Sequence, residues 1–392
     1  MLINGKRALA YITRVTGISP MDADRLESVD ILGWHVVCGK GEFKVGDLGV
    51  FIEVDSLCPE EPPFSEMEFL KSKHYKIKTQ KIRGVYSQGL FMPLSAFGDK
   101  LVNAKEGDDV TELLGITYIV AADNKRKKSG PMTKDQKWQA IAAKHPMLRR
   151  KVPNWMKPLF FVIFRNDLKK KEWPAWVVKT DEERVQNLVY EQLRGEKWIV
   201  TEKIDGSSAT FTMKRRKPTL FDKSEYDFYV CSRNVVFDRP DKPCYYDSNI
   251  YLEIAEKYHI EAAMWNWLIN HPDVEWLTLQ GEVFGGGIQK RDYSSAEHHL
   301  MIFNLIDSVK GRWNTLYMGR EIFNEFRGMS PVPVLDKDFE LPATCDELLQ
   351  YAEGESEIDG LPREGVVLRS MDGKRSFKAV SNSFLVKYHG KD

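Results

Sequence analysis

The stretch TEKIDGSS, residues 201–208, decides how the rest of this sequence is interpreted. Apolar residues 198–200 lead into it and predict a strand that ends near Lys203. Partial desolvation of a lysine at a strand end lowers the pKa of its amine, which would make Lys203 a nucleophile. Gly206 would permit a tight turn close to a phosphate group. An ordinary surface turn explains the short string KIDG as well, so the remaining sequence has to distinguish the two interpretations.

The composition of the 392-residue chain changes twice along its length. Residues 1–118 contain short apolar, β-branched or aromatic runs separated by glycine and proline turns, which predicts a small β-barrel of the OB-fold type. Residues 119–172 are predicted to be a basic connector with a short helix. Residues 173–392 alternate strand-like runs with the helical stretches 250–270 and 316–327. We therefore expect an α+β domain with antiparallel sheets there.

Charge is unevenly distributed although the whole chain has a net charge of zero. Residues 124–171 contain fifteen lysines and arginines against two acids, a net charge of +13. Such a stretch can neutralise nucleic-acid phosphates. A solvated surface face is the alternative explanation of the same residues.

Five further strings follow TEKIDGSS in order and place polar residues in or beside predicted strands. They are CSRN (231–234), LQGEVFG (279–285), MIFNLID (301–307), REGVVLR (363–369) and SFKAVSNSFLVK (376–387). Taken singly, each has a structural explanation: an ion pair for Arg233, a core aromatic ring for Phe303, and exposed strand ends for Glu282 and Glu364.

Taken together, the six strings resemble the motifs of the covalent nucleotidyltransferases, the superfamily of polynucleotide ligases and RNA capping enzymes. The resemblance covers residues 173–392. It implies that Lys203 attacks the α-phosphorus of ATP, that AMP passes to a polynucleotide 5′-phosphate, and that a 3′-hydroxyl finally displaces AMP. It also implies a divalent metal, Mg²⁺ or Mn²⁺.

The resemblance assigns roles to individual residues. The catalytic set that it implies is Lys203, Asp205, Glu282, Glu364, Lys378 and Lys387. The metal set is Asp205, Glu282 and Glu364. The nucleotide-binding set is Lys179, Arg184, Glu202, Lys203, Arg233, Glu282, Phe303 and Lys378, with Phe303 stacked on adenine. The last motif departs from the pattern of many relatives, which have KxK, because position 380 is Val380; the second lysine of that motif therefore stays open.

Two features narrow the choice within the superfamily. DNA ligases and capping enzymes usually carry their OB-fold after the last lysine motif, whereas here the barrel-like segment comes first. The string KTDEERVQN (179–187) looks like RNA ligase family 5, which has an N-terminal OB domain. That likeness implies sealing of nicks with an RNA 3′-hydroxyl end. Basic and aromatic residues of the N-terminal segment are compatible with phosphate contacts or with ordinary surface: Lys40, Lys44, Lys76, Lys78, Lys81, Arg83 and Tyr86.

Other function classes are disfavoured by composition. No apolar run reaches the roughly 20 residues of a membrane span, and no secretory signal is recognisable. The five cysteines are scattered without a CxxC pair, which favours a reducing compartment, cytoplasm or nucleus. A monomer would suffice. The alternatives that stay open are a DNA ligase, a GTP-using capping enzyme and a non-catalytic RNA-binding relative.

Overall fold

The computed structural model of the chain describes residues 1–3, 6–118, 133–144, 148, 152–164, 172–179, 181–218, 224–237 and 248–390. Of the 48 residues of the basic stretch 124–171, 22 lie outside the described residues. Within it, helix α2 (Lys134–Lys144) confirms the predicted connector helix, and α3 (Lys157–Ile163) follows it. None of the described helices is long and apolar enough to span a membrane.

The N-terminal domain is built around two three-stranded antiparallel sheets, in the orders β4-β5-β6 and β11-β7-β3. Side chains alternate across a strand, so β3 contributes Tyr11 to one core and Ile12 to another. The elements are β1 (Leu2–Ile3), β2 (Lys6–Arg7), β3 (Ala10–Arg14), β4 (Gly17–Pro20), β5 (Leu26–Ile31), β6 (Trp34–Gly39), β7 (Leu48–Ile52), β8 (Ser56–Leu57), α1 (Glu68–Lys71), β9 (Gln80–Ile82), β10 (Val85–Ser87), β11 (Leu90–Pro93) and β12 (Thr117–Tyr118).

The C-terminal domain contains two larger sheets with helices packed on them. One sheet has the order β13-β24-β23-β14-β22, and the other has the order β17-β16-β15-β18-β19-β20, with β21 parallel to β19. The elements are β13 (Glu183–Arg184), β14 (Lys197–Lys203), β15 (Ser207–Arg215), β16 (Tyr226–Ser232), β17 (Val236–Phe237), α4 (Ile250–Lys257), α5 (Ile260–Asn270), β18 (Trp276–Gly285), β19 (His298–Asp307), β20 (Gly311–Arg312), α6 (Thr315–Glu325), β21 (Ser330–Pro331), β22 (Val334–Glu340), α7 (Cys345–Ala352), β23 (Gly365–Ser370), β24 (Ser376–Val380) and α8 (Asn382–Phe384).

Apolar packing fixes the helices of this domain against its sheets. Trp267 of α5 and Phe211 of β15 are fully buried in one core, which α4 and α6 also enter. Leu348 of α7 and Trp198 of β14 are fully buried in the other. Each side chain of this size contributes roughly 1.5–3 kcal/mol on burial.

The two domains share a buried polar contact centred on Asn187. Its Oδ1 accepts hydrogen bonds from the Trp34 indole at 2.7 Å and the Tyr11 hydroxyl at 3.1 Å. Its Nδ2 donates to Glu53 at 2.8 Å. A second amide contact joins Gln88 to Asn382 at 2.7 Å. These hydrogen bonds hold the N-terminal sheets beside the C-terminal sheet whose strand β14 ends at Lys203.

The predicted α+β arrangement is confirmed, with one helix divided. The stretch 250–270 is two helices, because His259 adopts a left-handed conformation (φ 49°) between α4 and α5. The predicted helix 316–327 is α6. Strand β22 and helix α7 were not predicted.

Candidate active site

Lys203 lies at the end of β14, where that strand pairs with β23. Its register partner is Gly365, so the preceding residue, Glu364, lies beside it. The Lys203 Nζ is 2.5 Å from the Glu364 Oε2. Glu282 on β18 and Asp205 in the turn after β14 add further negative charge around the amine. The structure thus brings together four residues from a span of the sequence in which the first, Lys203, and the last, Glu364, are 161 positions apart.

The charge around Lys203 corrects one expectation from the sequence. Burial lowers the pKa of Lys203, but the negative charges of Glu364, Glu282 and Asp205 outweigh it, and the pKa is raised. The expected lowering is therefore wrong for the amine in this arrangement. Burial, together with Glu364 and Asp205, also raises the pKa of Glu282 to about 8 against the opposing charge of Lys203. The negative charge of the three carboxylates is therefore only partly offset by Lys203.

Positive charge is concentrated on the other flank of Lys203. Lys378 on β24 lies opposite Arg184, its register partner on β13. Burial and the charges of Arg184, Lys203 and Arg7 lower the pKa of Lys378 to about 7. The Arg184 Nη2 pairs with Asp55 at 3.2 Å, whereas its buried Nε and Nη1 have no hydrogen-bond partner within the part of the chain that the structure describes. This cationic group could accommodate an anion.

A cavity opens beside Lys203 and is bordered by Phe303, Lys378 and Glu282. Trp173 lines the same cavity and was not singled out from the sequence. Arg233, which directly follows β16 rather than lying on it, also borders the cavity, and its Nη2 pairs with Asp181 at 2.5 Å.

Two predicted nucleotide-binding residues, Lys179 and Glu202, have hydrogen-bond partners within the protein. The Lys179 Nζ donates to Asn234 Oδ1 at 2.8 Å at the cavity edge. Glu202 points to the opposite face of β14 from Lys203, where its carboxylate accepts from the Ser356 hydroxyl (2.5 Å) and the Glu357 amide (2.9 Å).

Arg184 and Lys387 are not among the residues that line the cavity. Arg184 lies at the domain interface. Lys387 is exposed, with its Nζ 4.9 Å from the ring of Tyr388. The structure therefore brings Lys378, and not Lys387, beside Lys203.

Sequence reasoning missed four residues at this site: Arg7, Trp173, Tyr293 and His389. The His389 Nε2 lies 3.5 Å from the Asp205 Oδ1, while Lys78 donates to the His389 carbonyl oxygen at 2.8 Å. No local pattern marks these residues, because their proximity depends on the folding of segments far apart in sequence.

Comparison with known proteins gives two family matches. A family model described as an OB-fold domain matches residues 9–94, and one described as RNA ligase matches residues 196–389. No curated protein matches the sequence.

Several solved structures of an RNA ligase from Naegleria gruberi are similar to the whole chain. The structure with pyrophosphate is 28% identical, covers 98% of this chain and 100% of its own, and has a TM-score of 0.72. A mutant with AMP and manganese is 29% identical with the same coverage and a TM-score of 0.73. A mutant with ATP and manganese is 29% identical with a TM-score of 0.70. The chain therefore combines an OB-fold domain, matched over residues 9–94, with an RNA ligase family domain, matched over residues 196–389.

Proposed function

We propose that this protein is an ATP-dependent RNA ligase that joins RNA 3′-hydroxyl and 5′-phosphate ends, at nicks in duplexes, through a lysyl-AMP on Lys203. One observation carries the proposal. The Lys203 amine borders a cavity between a carboxylate cluster (Asp205, Glu282, Glu364) and a cationic group that includes Lys378. A phosphoryl transition state needs positioning and cations near its oxygens, and this charge separation supplies both.

In the first step, the Lys203 Nζ loses a proton and attacks the α-phosphorus of ATP. A nitrogen–phosphorus bond forms, the bond from the α-phosphorus to the bridging oxygen breaks, and pyrophosphate leaves with the electron pair. Glu364, at 2.5 Å from Nζ, is positioned to take the proton. Lys378 would neutralise charge on the α-phosphate, with Lys179 and Arg184 beside the other phosphates. Phe303 would stack on adenine, and Arg233 would hold the ribose or a phosphate.

In the second step, an oxygen of the RNA 5′-phosphate attacks the AMP phosphorus, and the Lys203 nitrogen leaves and regains a proton. In the third step, the RNA 3′-hydroxyl attacks the 5′-phosphate and AMP leaves. We assign residues 1–118 to recognition of the 3′-hydroxyl side, 119–172 to a basic connector and 173–392 to nucleotidyl transfer.

The carboxylates fit a hydrated divalent cation, Mg²⁺ or Mn²⁺. The buried Asp205 Oδ2 has no hydrogen-bond partner among the described residues, and the pKa of Glu282 shows that negative charge is in excess. The described residues contain no group of three or more His, Cys, Asp or Glu side chains placed to hold a metal ion by themselves, so the nucleotide phosphates or water would have to complete its coordination. When bound, the cation would offset charge on the phosphates. The related ligase was solved with ATP and manganese, which supports the proposal.

The test is incubation with α-labelled ATP and a divalent metal. We expect an acid-stable labelled protein from the wild type and none from Lys203→Ala. Lys214→Ala is the matched control. Lys214, on β15, pairs with Glu275 at 3.0 Å, and the variant should be labelled like the wild type. Labelling of Lys203→Ala, or labelling of the wild type by GTP but not ATP, would contradict the proposal. Nicks with a 3′-terminal ribose or deoxyribose then distinguish RNA sealing from DNA sealing.

A further inference from the structure

The loop between β18 and β19, residues 286–297, holds the turn that follows Lys203. The Asp205 backbone N–H donates to the Tyr293 hydroxyl oxygen at 2.6 Å. From the same loop, Gln289 Nε2 donates to the Gly206 carbonyl oxygen at 2.8 Å. One hairpin therefore carries Glu282 on its first strand and holds the turn containing Asp205 with its loop.

The ring of Tyr293 is itself held by two contacts. It is 4% exposed, its ring packs edge-on against Phe284 at 5.0 Å, and the Arg291 guanidinium lies 4.0 Å from the ring centroid. Arg291 in turn is paired with the buried Asp359. Tyr293 also has a φ of 53°, a strained conformation for a non-glycine residue that persists only where the surroundings impose it.

The carboxylate of Asp205 has few contacts of its own. Its buried Oδ2 has no hydrogen-bond partner in the described part of the chain, and its Oδ1 has His389 at 3.5 Å. The direction of this carboxylate therefore depends on how its main chain is held. The hydrogen bond to Tyr293 fixes that main chain directly beside the side chain.

We propose that Tyr293 is a positioning residue that holds Asp205 in place for the step of ligation in which Asp205 acts. The proposal rests on the lysyl-AMP mechanism proposed above. Asp205 would act at the cavity, and Tyr293 would act through Asp205 without touching the nucleotide.

The variant Tyr293→Phe tests this role because it retains the ring and removes the oxygen. Single-turnover rates are measured for lysyl-AMP formation and for sealing of a nicked duplex. We expect Tyr293→Phe to slow the same step as Asp205→Asn, by roughly 10-fold or more, with the KM for ATP changed less than about twofold. Tyr293→Phe combined with Asp205→Asn should be no slower than Asp205→Asn alone.

Tyr190→Phe is the matched control. The Tyr190 hydroxyl donates to the Pro342 carbonyl oxygen at 3.1 Å in the same domain, so its loss also removes one hydrogen bond but should leave both rates unchanged. A second variant, Gln289→Ala, removes the contact to Gly206 and should slow the same step.

The positioning role would be overturned if Tyr293→Phe had wild-type rates. It would also be overturned if the double variant were slower than Asp205→Asn by the factor that Tyr293→Phe shows alone. If Tyr293→Phe does not fold, Gln289→Ala serves as the test, because it also removes a contact between this loop and the turn that contains Asp205. Wild-type rates in Gln289→Ala would then overturn the proposal that the loop positions Asp205. Failure of the wild type to form any lysyl-AMP would instead refute the underlying mechanism.

Discussion

Lys378 is a lysine whose charge changes near neutral pH. Burial and three neighbouring cations, Arg184, Lys203 and Arg7, lower its pKa to about 7. An anion bound beside it would reverse this effect, because opposite charge favours the protonated amine. The state of Lys378 is therefore coupled to occupation of the proposed phosphate site.

This coupling predicts how ATP affinity depends on pH. Below pH 7 Lys378 is already protonated, whereas above pH 7 it must take up a proton when the triphosphate binds. We expect the affinity of the protein for α,β-methylene ATP, an analogue that cannot transfer AMP to Lys203, to fall by up to about 10-fold per pH unit between pH 7 and 9 when measured by calorimetry. The variant Lys378→Arg should show a flat profile there, since arginine stays charged. A wild-type-like slope in the arginine variant would exclude Lys378 as the source.

At the level of elements, the short segment 183–187 has a structural role that the sequence did not predict. The string KTDEERVQN was expected to provide phosphate contacts through Lys179 and Arg184. In the structure, its last residue, Asn187, also joins three buried groups of the N-terminal domain. A sequence pattern cannot separate these roles, because both use hydrogen-bonding side chains before a strand.

The variant Asn187→Ala should uncouple the domains. It would leave the Tyr11 hydroxyl, the Trp34 indole and Glu53 without this partner, at a cost of about 1–3 kcal/mol for each group left unsatisfied. We expect a lower thermal midpoint and faster proteolysis in the connector. Asn103→Ala, at an exposed position, is the control and should melt like the wild type. An unchanged midpoint for Asn187→Ala would show that the interface is held elsewhere.

The strands that carry the site were predictable from the sequence. The neighbouring strand β22 and the break between helices α4 and α5 were not. The apolar runs before Lys203 and around Glu282 and Phe303 are long enough to indicate β14, β18 and β19. Strand β22 (VLDKDFE) is half polar and is specified by its pairing with β14, which local propensity does not reveal. The break between α4 and α5 depends on one left-handed residue, His259, for which the sequence carries no glycine signal.

For the molecule as a whole, we expect the two docked domains to carry separate tasks. Most of the residues around Lys203 belong to the C-terminal domain, with Arg7 contributed by the N-terminal domain, while the β9–β10 hairpin of the N-terminal domain exposes Lys81 and Arg83. Adenylylation should therefore be separable from binding of a nicked duplex.

Replacing both exposed residues tests this separation. In Lys81→Ala, Arg83→Ala we expect weaker binding of a nicked RNA-containing duplex and a salt slope reduced by about 1 for each lost phosphate contact. Formation of the labelled lysyl-AMP should be unaffected. Lys100→Ala, also exposed in the N-terminal domain, should bind normally. An unchanged slope in the double variant would place the duplex on another surface.

The order of the motifs along the chain predicted that four charged residues lie close together, but not the electrostatics that result. Lys203, Glu282, Glu364 and Lys378 converge as expected. The direction of the pKa shift of Lys203 was wrong, because it depends on how many carboxylates surround the amine, which only the folded arrangement shows. Lys378 was the first candidate of its motif, whereas the position of Lys387 depends on which way the chain turns after β24.

Gly206 illustrates how closely the two sheets approach at the site. A methyl group at this position would clash with the Val283 carbonyl oxygen and lie 2.9 Å from the Glu282 Cγ. The glycine thus sets the spacing between the nucleophile and the carboxylate on the neighbouring sheet. A search for remote relatives should therefore weight the glycine of KIDG as heavily as its lysine, and a chain with the lysine but a larger residue after the aspartate should be classed as a structural look-alike without transferase chemistry.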